Sequence, residues 1–368
     1  MTWRVAMVAA CPYPAPQGSQ VLLRDTARAL HEAGHTVHLV VYGHGVREAA
    51  DDFPVHRCPS VPGYRKTSAG PSLGKPLADA FLVGALRRVV REEDIEVIHA
   101  HNYEGLLVAL AARVRPVVYH AHNAMADELP WYFSGNRGAR RFGAWLDRTF
   151  PKRADRIIVP HQALAEYLIS RGCNAEKVSV IPPTCAAHDF AEPEYHDGPA
   201  EVLYTGNLDL YQNLALLEKA MDIVTATEPE ARFVVATAAE GAGRLRNAEV
   251  LHTADINALR EVLARDAIVV CPRVAWSGYP IKILNAMAAG RPVIACRSAA
   301  GPITDGIDGV TIPDNDAQAF AEAILRLRHD PELREYLGTA ARETIRTLHK
   351  PALLARRLER VYAAACKT

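Results

Sequence analysis

The sequence predicts an α/β chain built of two doubly wound, parallel-sheet domains. Short apolar, β-branched runs alternate with longer amphipathic stretches along its whole length. Continuous apolar strands separated by helices mark parallel sheets covered on both faces. The series breaks once, at the Pro-, Asp- and Glu-rich stretch "VIPPTCAAHDFAEPEYHDGPAE" (180–201), and then resumes in a similar order. A length of 368 residues suits two domains at roughly 100–200 residues each.

The strands expected before the break are "VAMVAA" (5–10), "VHLVVYG" (37–43), "VIHA" (97–100), "VVYHA" (117–121) and "RIIVP" (156–160). After it come "VLYTG" (202–206), "RFVVAT" (232–237), "AIVVC" (267–271) and "PVIAC" (292–296). Between them lie amphipathic stretches such as "QVLLRDTARALHEAGH" and "FAEAILRLRHD", whose apolar residues recur at helical spacing. Residues 1–185 are expected to form the first domain and 186–350 the second. The amphipathic helix after Pro351 (351–368) is expected to pack back onto the first. The Pro/Gly-containing stretch 61–76 reads as a mobile surface loop. In two doubly wound domains, strand carboxyl ends carry the ligand sites, here expected to face an interdomain cleft.

Composition excludes several classes. Basic and acidic side chains number 42 each, so the basic excess of a nucleic-acid binder is missing. The seven cysteines are scattered, odd in number and show no C-x-x-C step, which argues for reduced thiols rather than a disulfide frame or zinc ribbon. The first residues read as a strand, not a signal peptide, and no run approaches the ~18 unbroken apolar residues of a membrane span. A cytoplasmic protein, in peripheral contact with a membrane at most, is the expectation.

Five stretches carry candidate chemistry. "PYPAPQGSQ" (12–20) joins the first strand to the first helix, placing Gly18 and Ser19 where backbone amides can approach a phosphate or sugar; an ordinary turn is the alternative. Two His-x-His steps, His99 with His101 and His120 with His122, end predicted strands, and alternation puts each pair on one face. They read as acid/base or binding histidines, as structural histidines, or as a metal site. "YTGNLDLYQN" opens the second domain with Gly206, Asn207 and Gln212. "EGAGRLR" (240–246) contains Gly-x-Gly but lacks the third glycine of a dinucleotide fingerprint. Finally, "WSGYPIKILNAMAAGRPVIA" (276–295) runs through Ser277, Gly278 and Tyr279 to Pro280, a good first-turn residue because it has no amide hydrogen to leave unpaired. The amides that follow, near Ile281 and Lys282, suit an anion, and Lys282 and Asn285 lie three residues apart on the helix. Arg273 adds a second cation. The alternative is a buried helix start with a solvent-facing lysine.

Taken in order, "PAPQGSQVLLRDTARALHEAGHTVHLV", "EVIHAHNYEG", "PVVYHAHN", "ADRIIVPHQALAEYL", "VIPPTC", "YTGNLDLYQN", "GYPIKILNAMAAGRPVIA" and "DGIDGVTIPDNDAQAFAEAI" resemble glycosyltransferase family 4, over essentially the whole chain. The resemblance implies the GT-B fold of two Rossmann-like domains and a retaining transfer from a nucleotide diphospho-sugar to an acceptor hydroxyl. It places Gly18 and Ser19 near the donor phosphate, His122 on the transferred sugar, and Gly206 and Asn207 against the diphosphate. His101, Asn102 and Tyr103 fall on the acceptor side. Ser277 to Asn285 replaces the family's Glu-x7-Glu, with Trp276 an alternative to Ser277, and Asn207 and Gln212 replace its Arg and Lys. Both motifs have lost formal charge, which Lys282 and Arg273 are expected to supply. With fixed cations and dipoles in that role, no metal is required, and a UDP-sugar is the default donor.

Three other readings stay open: a nucleotide-sugar epimerase or hydrolase using Asp127 and Glu128, a non-catalytic nucleotide-sugar binder, and a metal hydrolase on the His-x-His pairs. Residues 136–156 combine Arg137, Arg140, Arg141, Arg148, Lys152 and Arg153 with Phe142, Trp145 and Phe150. That pattern fits a helix lying on an anionic bilayer, which would suit a lipid-linked acceptor, or a core-facing aromatic stripe with a solvated basic face. Small molecules and glycans are the other acceptor classes; nucleic acid is not expected.

Overall fold

The computed structural model describes the chain apart from residues 1, 15–17, 45–50, 65–69, 71, 73, 134–136, 239–246, 254 and 368. The Gly-x-Gly stretch 240–246 and part of the loop 61–76 therefore lie outside the described residues. Contacts divide the chain into two units. The first comprises Met1–Thr184, Ser277–Tyr279 and Pro351–Thr368, the second Cys185–Trp276 and Pro280–Lys350.

The first unit runs through β1 (Arg4–Ala9), α1 (Gly18–Glu32), β2 (Thr36–Val41), β3 (Val55–Arg57), α2 (Lys75–Glu92), β4 (Val97–His101), α3 (Asn102–Ala112), β5 (Val117–His120), α4 (Met125–Tyr132), α5 (Arg137–Thr149), β6 (Arg156–Val159), α6 (Gln162–Ser170) and β7 (Val178–Val180). The second runs through β8 (Glu201–Thr205), α7 (Leu214–Thr227), β9 (Phe233–Thr237), β10 (Ala248–His252), α8 (Ile256–Leu263), β11 (Ala267–Cys271), α9 (Ile281–Ala288), β12 (Val293–Cys296), β13 (Val310–Ile312), α10 (Ala317–Arg328) and α11 (Pro331–Leu348). The last helix, α12 (Pro351–Ala365), joins the first unit.

Each unit holds one parallel sheet. The first has seven strands in the order β3-β2-β1-β4-β5-β6-β7, the second six in the order β10-β9-β8-β11-β12-β13. Both are doubly wound. The chain leaves β1 toward one edge and returns to β4 on its other side, and does the same at β8 and β11. These are the topological switch points, outside whose carboxyl ends ligands bind in such sheets.

All nine strands expected from apolar runs are present. The four not anticipated, β3, β7, β10 and β13, are the edges of the two sheets. Their residues are mostly half-buried or exposed, so they carry no continuous apolar run to read.

The first core closes over β1, β2 and α1, with Leu354, Leu358 and Tyr362 of α12 packed into it. In the second unit buried arginines tie down the segment that reads as a linker. Arg342 donates to the carbonyls of Phe190 and Ala191, Arg291 to that of Glu194, Arg334 to those of His196 and Gly198, and Arg328 to that of Ala200. An irregular segment against a core thus has its carbonyls satisfied, as buried backbone requires. Among the described residues no helix is long and apolar enough to cross a membrane.

Candidate functional site

The switch point of the second sheet gathers residues from three elements. Gly206 follows β8 with φ of 116°, a conformation open to glycine, and a Cβ there would sit 3.5 Å from Lys282 Nζ. Lys282, in the first turn of α9, donates to Tyr204 Oη at 3.1 Å and Gln212 Oε1 at 2.7 Å. Its ammonium also stands 4.2 Å from the centre of the Tyr204 ring, within cation–π range. Gln212 Nε2 donates to Asn207 Oδ1 at 2.5 Å, and Asn207 Nδ2 donates to Tyr211 Oη at 2.8 Å and Asp209 Oδ2 at 2.7 Å. Arg273, just beyond β11, lies over the Tyr211 ring at 5.3 Å and donates to Ala275 O.

The electrostatics are unusual. Both acceptors of the Lys282 ammonium are neutral, and among the described residues no carboxylate pairs with it or with Arg273. Burial brings the lysine down to about 8, and the nearby Arg273 charge acts in the same direction. A cation held this way, beside a bare glycine turn and a helix start, forms a ready anion site. The lysine is thus not solvent-facing.

The rest of the stretch divides. Pro280 precedes α9, and its carbonyl accepts from Ile283 N at 2.9 Å, leaving Ile281 and Lys282 as the first amides of the helix. Asn285 meets a different neighbour from Lys282, accepting from Cys185 Sγ at 3.7 Å. Ser277, Gly278 and Tyr279 belong by their contacts to the first unit. Ser277 is buried, its amide and hydroxyl donate to Asp127 Oδ2 at 3.1 and 2.7 Å, and His161 Nε2 lies 3.1 Å from its carbonyl. Tyr279 stacks beside the His161 ring.

The first unit has its own cluster. β4 and β5 pair in parallel with His101 opposite His120, so the two His-x-His steps share one face and four imidazoles meet. His99 Nε2 lies 3.2 Å from His120 Nδ1, and His101 Nδ1 lies 3.1 Å from His122 Nε2. Tyr362 of α12 closes the end, its hydroxyl 2.7 Å from His99 Nδ1. His101 Nε2, His120 Nε2 and His122 Nδ1 are buried without a partner among the described residues. Burial pushes His99 down to about 3 and His122 to about 4, and holds His101 and His120 well below the ordinary histidine value. All four rings are therefore neutral at neutral pH. His99, His101 and His120 bring ligand atoms within 4.8 Å of one another, close enough for a metal ion but with no carboxylate in the set.

A cavity of about 30 Å³ opens beside this cluster at the first sheet's switch point, lined by Ala9, Ala10 and Cys11 after β1, Ser19 of α1, and His101, Asn102, Glu104 and His122. Gly18 and Ser19 start α1 and are exposed. Asn102 turns the chain into α3 at φ of 63°. Tyr103 is buried behind it, with its hydroxyl unpartnered among the described residues. Glu104 is paired with Lys75.

The acids considered for other chemistries are held by hydrogen bonds. Asp127 accepts from Ser277, and Glu128 accepts from Asn123 Nδ2 at 2.6 Å and Tyr132 Oη at 3.1 Å. Burial, helped by Glu104, raises Glu128 to about 7. One Asp-x-Asp step, easily overlooked in the sequence, falls at Asp314 and Asp316; Asp314 accepts from Ser298, and Asp316 caps α10 through Ala319 N at 2.9 Å. On α5 the aromatic stripe does not turn wholly to the core. Phe142 is 55% and Trp145 45% exposed, stacked on each other among the exposed Arg137, Arg140, Arg141 and Arg148.

Sequence reasoning overlooked Tyr204, Tyr211, Glu104 and Tyr362. Tyr204 reads as one more core residue of "VLYTG", and nothing in a linear pattern reveals that its hydroxyl meets a lysine 78 residues away.

The family described as Glycosyltransferase Family 4 matches residues 16–185, and Glycosyl transferases group 1 matches residues 199–330. The chain is 27% identical to D-inositol 3-phosphate glycosyltransferase of Kribbella flavida, over 92% of this chain and 91% of that protein. In fold it is similar to sucrose-phosphate synthase from Thermosynechococcus elongatus, with a TM-score of 0.81, 19% identity and 98% of each chain covered. It is also similar to Anabaena HepE in complex with UDP-glucose, with a TM-score of 0.69, 19% identity, and 98% of this chain and 99% of that one covered.

The buried imidazoles tie stability to pH. His122 sits at about 4 in the folded chain against an ordinary 6.5. As pH falls through 6.5 the unfolded state takes a proton that the folded state refuses, so stability is lost between those values, at up to about 1.4 kcal/mol per pH unit for each such histidine. His122→Gln removes one contribution, and urea unfolding of the first unit from pH 7 to pH 5 should show a slope shallower by roughly that amount. An unchanged slope would contradict the burial argument.

Proposed function

We propose that this chain, which belongs to the family 4 glycosyltransferases, moves a sugar from a nucleotide diphospho-sugar to an acceptor hydroxyl, with retention at the anomeric carbon and without a metal ion. One observation carries the donor half: Lys282 and Arg273 stand at the second switch point with only neutral partners among the described residues. A diphosphate supplies the anion these cations lack. UDP-glucose bound to HepE, on the same fold, supports a UDP-sugar.

As the glycosidic bond breaks, charge builds on the departing diphosphate. The Lys282 ammonium, the Arg273 guanidinium and the amides of Ile281 and Lys282 are the groups assigned to that charge, and preset dipoles and cations lower such a barrier without reorganising. Tyr204, Gln212 and Asn207 hold the ammonium in place while leaving its charge unanswered. Gly206 lets the backbone approach the phosphates. The acceptor hydroxyl attacks from the face the diphosphate leaves, giving its proton to the departing phosphate oxygen, so configuration is kept.

In the first unit, His122 is assigned to the transferred sugar, and Gly18, Ser19, His101, Asn102 and Tyr103 to the sugar and acceptor. Neutral imidazoles suit hydroxyl groups because each ring can donate at one nitrogen and accept at the other. Ser277, Gly278 and Tyr279 are assigned to the sugar, and Asn285 to ribose hydroxyls.

Exposed aromatics among arginines on α5 favour an acceptor at a membrane surface, since amphipathic basic helices bind anionic bilayers. Flotation with anionic liposomes should carry the protein, and a Phe142→Ser/Trp145→Ser variant should stay behind; equal flotation of both, or none, defeats the idea.

Lys282→Ala, with its circular dichroism unchanged, should bind UDP roughly 10- to 100-fold more weakly by calorimetry, the worth of a charged hydrogen bond. The wild-type affinity should also fall above pH 8, where the free lysine loses its proton (about 8). The variant should lose that limb. Unaltered UDP affinity in the variant would remove the basis of the donor assignment.

A further inference from the structure

Away from either switch point, at the β3 edge of the first sheet, a second group of histidines meets a carboxylate. β2 and β3 pair with Val40 opposite His56, so His38 and His56 project from the same face as diagonal neighbours. Their rings stack, centroids 5.2 Å apart, with His38 Nδ1 3.0 Å from His56 Nε2. Glu93, the C-cap of α2, joins them, and ligand atoms of the three residues lie within 4.8 Å of one another. His38 is buried, while His56 and Glu93 are half-exposed.

We propose that His38, His56 and Glu93 form a divalent metal site of the zinc class. Two imidazoles and one carboxylate are a recurrent zinc set, and three protein ligands leave a fourth position for water on the solvent side. Imidazole donors select zinc, nickel or copper over magnesium and calcium. In a tetrahedral zinc site with bonds of about 2.0–2.1 Å, neighbouring nitrogens stand about 3.3 Å apart, so the two rings need to part only slightly. Glu93, at a helix end, can turn the remaining distance.

The electrostatics agree. A carboxylate at a helix C-terminus sits at the negative end of the dipole, an unfavourable place that a cation relieves. Arg88, on the same helix as Glu93's cap position, is itself answered by Glu92 at 4.0 Å. A bound ion would pin the short edge strand β3 to β2 and to the end of α2.

The test uses the full chain freed of metal with EDTA. Calorimetry with zinc chloride should show one equivalent bound at micromolar affinity or tighter, and cobalt(II) should give the strong visible bands of a low-coordinate site. His56→Gln should abolish binding, and Glu93→Gln should weaken it at least tenfold, each with an unchanged circular dichroism spectrum. His99→Gln, in the buried imidazole quartet, should leave it intact. Absence of binding would mean that His38 and His56 simply share a hydrogen bond. Binding that survives His56→Gln but not His99→Gln would move the ion to the quartet. Either result overturns the proposal.

Discussion

A half-buried ammonium that no carboxylate among the described residues answers is the constraint on which the proposed chemistry of the second unit turns. Lys282 could have been neutralised by a single carboxylate in reach; the fold instead gives it a phenol, an amide oxygen and an aromatic face. Removing one partner from a buried ion pair is costly, and burying a cation unpaired is costly for the same reason. The downward pull on its protonation is the visible sign of that cost. An anion from outside the chain would relieve it. The diphosphate proposed above would bring its charge to a turn with no side chain at Gly206.

The first unit is organised by the opposite rule. Its switch-point cavity is flanked by imidazoles that burial keeps neutral, and the acid that lines it, Glu104, is answered by Lys75. One sheet thus presents uncompensated positive charge at its ligand end, while the other presents uncharged hydrogen-bonding rings.

The legibility of this arrangement in the sequence followed burial and chain distance. The nine central strands could be read because a strand covered on both faces must be apolar throughout; the edges β3, β7, β10 and β13 could not, because solvent relaxes that demand. Alternation placed His99 with His101 and His120 with His122, but the register that brings the two pairs together is a property of the β4–β5 pairing. Lys282 and the replacement of charge by Asn207 and Gln212 were visible as separate oddities. Their union, with Gln212 carrying the lysine and Asn207 carrying Gln212, appears only when residues some 70 positions apart meet. Ser277 was expected beside the donor, yet its bonds run to Asp127, a pairing no spacing rule suggests.

A crystal structure with UDP bound would examine the ammonium directly. A phosphate oxygen is expected about 3 Å from Lys282 Nζ, with the amides of Ile281 and Lys282 turned to the same group. UDP seated elsewhere, with Lys282 still bonded to Tyr204 and Gln212 alone, would contradict it.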